Sequence, residues 1–274
     1  MSINTPMIIK EAFLLPKGGE GSSCGDRIHI SDGFIAVIDG ATPKGDRLWD
    51  GMRGDSFVAE LLKNALSEMP GELCAADVIA RLNSFVRKEY HRRGLSFEAL
   101  APEERLQASI VIYSVARREI WSFGDCQYRT GGKNYTFTRK GDALFADLRA
   151  FVLYVAKSEG HPTEPDPGRE AILPFLKQYL RFANSDSEFG YDVINGGEIH
   201  SDRVKITPVR EGDLVVLASD GYPCLFDTLA ESESYLAKAL AEDPTCVGDL
   251  RSTKGLVEGN VSYDDRSFVS FIVS

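Results

Sequence analysis

Hydrophobic and polar positions change period several times along this chain, and each change marks an element. Residues 27–30 (RIHI) and 34–39 (FIAVID) alternate or run apolar around a turn at Ser31-Asp32-Gly33, which predicts a β-hairpin ending at Asp39. Between Gly51 and Met69 the period lengthens: Phe57, Val58, Leu61, Leu62, Ala65, Leu66 and Met69 fall on one helical face. A second amphipathic helix follows, with Val78, Ile79, Leu82, Phe85, Val86 and Tyr90 apolar. Its Arg81, Arg87, Lys88, Arg92 and Arg93 read as a solvated face. ASIVIYSV, a turn at Arg117-Arg118 and EIWSFGD predict another hairpin, which ends at Asp125.

From Cys126 to Asp202 the pattern weakens. HPTEPDPG around His161 reads as a polar loop, and REAILPFLKQYLRF as a helix that Pro174 kinks or interrupts. ANSDSEFGYDVINGGEIHSD reads as loop or flap. Regular structure returns with RVKITPV and DLVVLAS, a pair of strands around Glu211-Gly212. Thr228 and Glu231 match a capping box at the start of a further helix, and SFVSFIVS closes the chain as a strand. Strands in hairpins with helices between them predict an α+β fold with antiparallel sheets rather than an alternating parallel sheet.

Composition narrows the classes. The 274 residues are 43% hydrophobic and 26% charged, enough apolar material for a full core. The net charge of -10 argues against bulk attraction to nucleic acid or to an anionic membrane. Five scattered cysteines (Cys24, Cys74, Cys126, Cys224, Cys246) form no CxxC and read as reduced thiols. The N-terminal stretch MSINTPMIIKEAFLLPKGG lacks a leader pattern, and no apolar run approaches the roughly 18–20 residues of a membrane span. The expectation is a cytoplasmic protein.

Three aspartates carry the candidate chemistry: Asp39 in AVIDG, Asp220 in VVLASDG and Asp264 in SYDDRSFVSFIV. A carboxylate at a strand end is held rigidly, and several converging would make an oxygen-rich site for Mg²⁺ or Mn²⁺. Asp-Gly is also a common hairpin turn, so each motif alone has a purely local reading.

In chain order the motifs are Gly25-Asp26, Asp39-Gly40, Gly124-Asp125, Ala218-Ser219-Asp220-Gly221 and Asp264-Asp265. This order, above all EGDLVVLASDGYPCLFD, resembles the metal-dependent serine/threonine protein phosphatases of type 2C over nearly the whole chain. The resemblance implies one catalytic domain over residues 1–274. It also implies two packed antiparallel β-sheets flanked by antiparallel helix pairs, a four-layer αββα sandwich with a metal cleft at one end. By the same resemblance Asp39 bridges two Mn²⁺ or Mg²⁺ ions, the Gly40 carbonyl binds one of them, and Asp220 and Asp264 (or its neighbour Asp265) ligate the first. Asp125 helps to hold a weaker third ion, and Asp26 supports metal-bound water. Asp39, Asp220 and Asp264 are then the catalytic set.

The implied substrate is a phosphorylated protein or a small phosphomonoester. Ala41 stands where the family carries a histidine, Gly25 replaces the first acid of its N-terminal pair, and GGEGSSCGD lacks its phosphate-clamping arginine. Arg47 and Arg53 are candidate substitutes, since guanidinium pairs well with phosphate. Exposed arginines flanking a helix are the bland alternative for that pair, and Trp49 reads as a packing residue beneath the same helix, with shaping of substrate entry as the alternative. The competing functional expectation is a catalytically weak or inactive phosphatase-like domain that binds a partner.

Overall fold

In a computed structural model, which describes residues 8–274, the chain forms twelve strands and five helices. Residues 1–7, part of the N-terminal stretch read above for a leader, lie outside the described residues. In order the elements are β1 (Ile8–Leu15), β2 (Asp26–Ile30), β3 (Phe34–Gly40), β4 (Leu48–Trp49) and β5 (Met52–Arg53). Next come α1 (Gly54–Ser67), α2 (Ala75–Arg92), β6 (Ala108–Ser114), β7 (Glu119–Phe123), β8 (Gln127–Thr130) and β9 (Lys133–Tyr135). The chain continues through α3 (Lys140–Ser158), α4 (Pro167–Tyr179), β10 (Lys205–Pro208), β11 (Leu214–Ala218), α5 (Leu229–Glu242) and β12 (Arg266–Ile272).

Two five-stranded antiparallel sheets stack face to face, in the orders β1-β12-β11-β8-β9 and β10-β7-β6-β3-β2. Alternation along each strand sends one set of side chains into the shared core: Ile35, Val37, Val111 and Tyr113 meet Val215, Leu217, Val269 and Phe271. The opposite face of the β3–β6–β7 sheet, with Phe34, Ile38, Ile112 and Trp121, buries against α1 and α2. Val216, Ala218 and Phe268 on the outer face of the other sheet are covered by α5 through Leu236 and Leu240. This is the α+β sandwich that the sequence predicts.

Three details differ from the pattern reading. Residues 8–15 form an edge strand with an alternating burial pattern, and β8, β9 and α3 occupy the stretch where periodicity is weak. β10 and β11 do not pair with each other: β10 lies on β7 in one sheet, while β11 lies between β12 and β8 in the other. Pro174 sits inside α4 without ending it. The two expected helix edges hold better. Thr228 Oγ1 accepts a hydrogen bond from the Glu231 amide and donates to Glu231 Oε2 at 2.8 Å. Trp49 is buried against Phe57 and Tyr90.

Helices α3 and α4 cover neither sheet. They pack on each other and meet the loop around residues 182–193 through Phe145, Tyr179, Tyr191 and Val193. Arg149, in the middle of α3, is only 1% exposed. It donates to Asp166 Oδ2 at 2.7 Å and to the carbonyls of Thr245, Cys246 and Ser252, tying this pair to the loop before β12.

Candidate active site

The strand directions bring the predicted acids to one end of the sandwich. β3, β7 and β11 run toward that end and finish at Asp39-Gly40, just before Asp125, and just before Asp220. β2 and β12 start there, at Asp26 and just after Asp264-Asp265. Ladder register places Asp39 opposite Asp26 on one side and Ser109 on the other. Neither Asp-Gly step is a hairpin turn. A Cβ on Gly40 would lie 2.2 Å from the Asp55 carbonyl oxygen, and one on Gly221 would lie 2.1 Å from that of Asp265. Both glycines are therefore places where two backbones pass in contact.

Asp39, Gly40, Asp125, Asp220, Asp264 and Asp265 all line one cavity of about 370 Å³. Asp26 lies behind its floor, buried, with Oδ2 accepting from the Ser267 hydroxyl at 2.8 Å. Asp264 and Asp265 differ in what they face. Asp265 accepts the backbone N–H of Lys17 at 2.8 Å and of Gly25 at 2.9 Å, so its oxygens anchor the N-terminal loop. Asp264 faces the ammonium groups of Lys254 and, at 3.5 Å, Lys17. Asp125 accepts from the Ser109 hydroxyl and, at 2.8 Å, from Arg139, whose guanidinium also lies over the Tyr191 ring.

The remaining acids are uncompensated. Among the described residues no Lys, Arg or His lies within 4 Å of Asp26, Asp39 or Asp220. Burial raises Asp26 to about 7, with the Asp264 and Asp265 charges opposing the hydrogen bonds from Ser219 and Ser267. Burial and the charges of Asp220, Asp26 and Asp125 raise Asp39 well above the usual carboxylate range. Asp220 is reached by water in the cleft, yet the protein around it and the charges of Asp264 and Asp125 raise it to about 8. Asp264 goes the other way: burial is outweighed by Lys254 and Lys17, which hold it low. Like charges this close, without counter-cations, are a strained arrangement that a divalent cation would relieve.

The donors are all oxygen, which matches Mg²⁺ or Mn²⁺ rather than a softer metal. Among the described residues, though, no three acidic, histidine or cysteine side chains are grouped at metal-holding positions. The contacts explain this. Asp264 turns to Lys254, and Asp125 to Arg139 and Ser109.

The solved structures settle the fold. A crystal structure of the Mycobacterium tuberculosis serine/threonine phosphatase PstP/Ppp aligns over 98% of this chain and 99% of its own, with 15% identity and a TM-score of 0.50. The catalytic domain of PstP in complex with two manganese ions aligns over 98% of this chain and 100% of its own, with 15% identity and a TM-score of 0.51. The chain has the fold of the type 2C serine/threonine phosphatases. No protein-family model and no curated protein matches the sequence. Against the type 2C pattern, the cleft is notable for what lines it beyond the aspartates. Among the described residues no histidine does so, while Lys44, Arg139, Arg169, Arg251 and Lys254 all do.

Arg47 and Arg53 are not among those cations. Arg47 lies 3.4 Å from Glu104 and over the Trp49 ring, and Arg53 is half-exposed beside Asp55. Sequence reading missed Lys44, Arg139, Asp142, Arg169 and Lys254 as cleft residues. Lys44 alone left a trace, as a cation shortly after the Asp39-Gly40 step; the others lie in or beyond the stretch of weak periodicity.

Proposed function

We propose that this chain is a Mn²⁺- or Mg²⁺-dependent phosphomonoester hydrolase acting on phosphoserine or phosphothreonine in proteins. One observation carries the reading: within a type 2C fold, Asp39, Asp125, Asp220 and Asp264 arrive from four separate strand ends at the wall of one cavity. Asp39, the Gly40 carbonyl, Asp220 and Asp264 would hold two ions, with Asp125 helping to hold a third and Asp26 supporting the site from behind. When bound, such ions supply an activated water at neutral pH and offset charge on the phosphoryl oxygens. The chain's own residues do the positioning. Ladder hydrogen bonds hold Asp39 between Asp26 and Ser109, and contact with Asp55 fixes the Gly40 backbone. Arg139 restrains Asp125, and the α3–α4 pair roofs the cleft with Asp142, Ala146 and Leu176.

A second reading, a phosphatase-like binding domain with little or no turnover, draws on the Lys254 and Lys17 contacts to Asp264 and on the lack of a histidine in the cleft lining. The deciding experiment is hydrolysis of p-nitrophenyl phosphate and a phosphothreonine peptide with Mn²⁺ or with EDTA, beside Asp39→Asn and Asp220→Asn. Metal-dependent turnover lost in both variants is the expected result. Measured Mn²⁺ binding without turnover would favour the second reading. Absence of both would remove the metal-dependent hydrolase.

A further inference from the structure

The cavity has two walls of opposite character. Its floor is the aspartate set at the strand ends, and five cations also line the cavity: Lys44, Arg139, Arg169, Arg251 and Lys254. Three of these are committed to acids. Arg139 pairs with Asp125, Lys254 with Asp264, and Arg251 with Asp147 at 2.7 Å. Lys44 and Arg169 are not. Among the described residues neither has a carboxylate within 4 Å, and each spends one donor on a backbone oxygen. Lys44 Nζ donates to the Thr42 carbonyl at 2.7 Å, and Arg169 Nη1 donates to the Thr253 carbonyl at 2.9 Å. Two ammonium hydrogens and most of the guanidinium fork are left over.

The start of α4, which carries Arg169, is anchored. The Asp166 side chain caps α4 by accepting the Arg169 amide at 2.9 Å, and its other oxygen takes Arg149 at 2.7 Å. Gly168 lies so close to Arg149 that a Cβ there would meet the Arg149 carbonyl oxygen at 2.6 Å. Lys44 sits on the loop leaving β3, a few residues past the Gly40 carbonyl. Around Lys44 the charged groups are Arg169 and Lys254, which oppose its charge, and Asp264 and Asp142, which favour it. Burial is the largest cause, and with those two cations it brings the Lys44 pKa down to about 7. Two partly desolvated cations with spare donors, bordering a polar cavity, are energetically incomplete without an anion of several oxygens.

We propose that Lys44 and Arg169 form an anion subsite, in the cavity that the aspartates also line, that grips the phosphoryl oxygens of substrate and of the inorganic phosphate product. It builds on the hydrolase reading, supplying from the roof and the β3 loop the phosphate contact that Arg47 and Arg53 do not reach. Guanidinium offers a bidentate fork and ammonium a point charge, a pairing suited to a tetrahedral dianion. Among the described residues no thiol and no imidazole lines the cavity.

The test uses the full chain with Mn²⁺, and inorganic phosphate as the probe. Phosphate affinity is read by calorimetry and as competitive inhibition of p-nitrophenyl phosphate turnover, for the parent, Lys44→Met, Arg169→Met and Arg169→Lys. The expected result is at least about tenfold weaker phosphate binding in each Met variant, with KM rising more than kcat falls and Arg169→Lys recovering part of the loss. Thermal unfolding and Mn²⁺ affinity check that the fold and the floor persist, and Lys44→Gln and Arg169→Gln replace any Met variant that does not fold. Folded variants that bind phosphate as the parent does would overturn the subsite, and so would a parent that binds none. The two readings can fail separately. Parent turnover with unchanged variant KM and phosphate affinity sinks the subsite alone. Phosphate binding that depends on Lys44 and Arg169, in a parent without turnover, sinks the hydrolase alone.

Discussion

The cleft's floor and its roof are built on different physical terms. On the floor, Asp39 is fixed by ladder partners on both sides, and Asp125, Asp220 and Asp264 lie two residues from strands flanked on both sides, above a core of fully buried Val, Ile and Phe. The roof is α3 and α4, which rest on each other and reach the rest of the protein through a small aromatic cluster with the 182–193 loop and through polar anchors such as Arg149. Its outer surface keeps Leu144 52%, Phe151 63% and Tyr154 73% exposed. The floor is therefore the rigid part that carries chemistry, and the roof the part whose position rests on a few bonds and that carries recognition.

The largest effect that would break this contrast lies on the floor. Asp39→Asn should lower metal-dependent turnover by about 10²–10³-fold, the scale of losing one preorganised electrostatic group, and leave thermal stability unchanged or raised. The stability half follows from removing a buried like charge that burial and Asp220 already disfavour. An Asn variant that keeps parental kcat would take Asp39 off the chemical step.

Next is the roof's anchor. Arg149→Met leaves Asp166 Oδ2 without its partner and takes a donor from the Thr245, Cys246 and Ser252 carbonyls, a change that typically costs about 3–5 kcal/mol for a buried pair. If roof and floor are separable, amide exchange in α3 and α4 should accelerate while β3, β11 and β12 stay protected, and KM should rise more than kcat falls. Uniform acceleration across both sheets would show that the two regions unfold as one.

A smaller, pH-dependent effect tests Lys44. Its folded pKa of about 7 lies below the ordinary lysine value of 10.5, so between those values the unfolded chain binds more protons. The Lys44 contribution to stability should therefore rise with pH across that window, and the penalty for charging Lys44 is fully present below pH 7. Lys44→Met removes the penalty. Without phosphate it should melt higher than the parent at pH 6, with the gap closing as pH approaches 10.5, and saturating phosphate at pH 6 should narrow the gap by stabilising only the parent. A gap independent of pH would mean that Lys44 acts through packing. The smallest effect is expected at Arg47, whose guanidinium is turned to Glu104: Arg47→Ala should move KM by less than about twofold, as exposed pairs contribute little.

Legibility in the sequence follows the same division. β3, β6, β11 and β12 are readable because a strand whose faces meet different surroundings must alternate or run fully apolar, and so the acids that end them are readable too. Helix α3 is not, because its faces are inverted. Arg149 occupies the buried side with Ala146 and Leu153, while Leu144, Phe151 and Tyr154 face outward, so no single apolar stripe marks the core. The link between β10 and β11 is short enough to suggest a hairpin, yet it carries the chain from one sheet to the other, a choice made by which face each strand can bury.

By itself, then, the sequence determined the alternation of strands and helices, the ends at which Asp39, Asp125, Asp220 and Asp264 sit, and the oxygen-only character of the floor. Those are local properties: side-chain period, strand length and the glycines that let backbones touch. Which cations face that floor was decided only by tertiary structure. Lys44, Arg169 and Lys254 come from a loop, a helix and a second loop far apart in the chain, and each looks like an ordinary surface charge in its own segment. Their surroundings, and hence their charge state and their spare hydrogen-bond donors, exist only once α3 and α4 close over the ends of the strands.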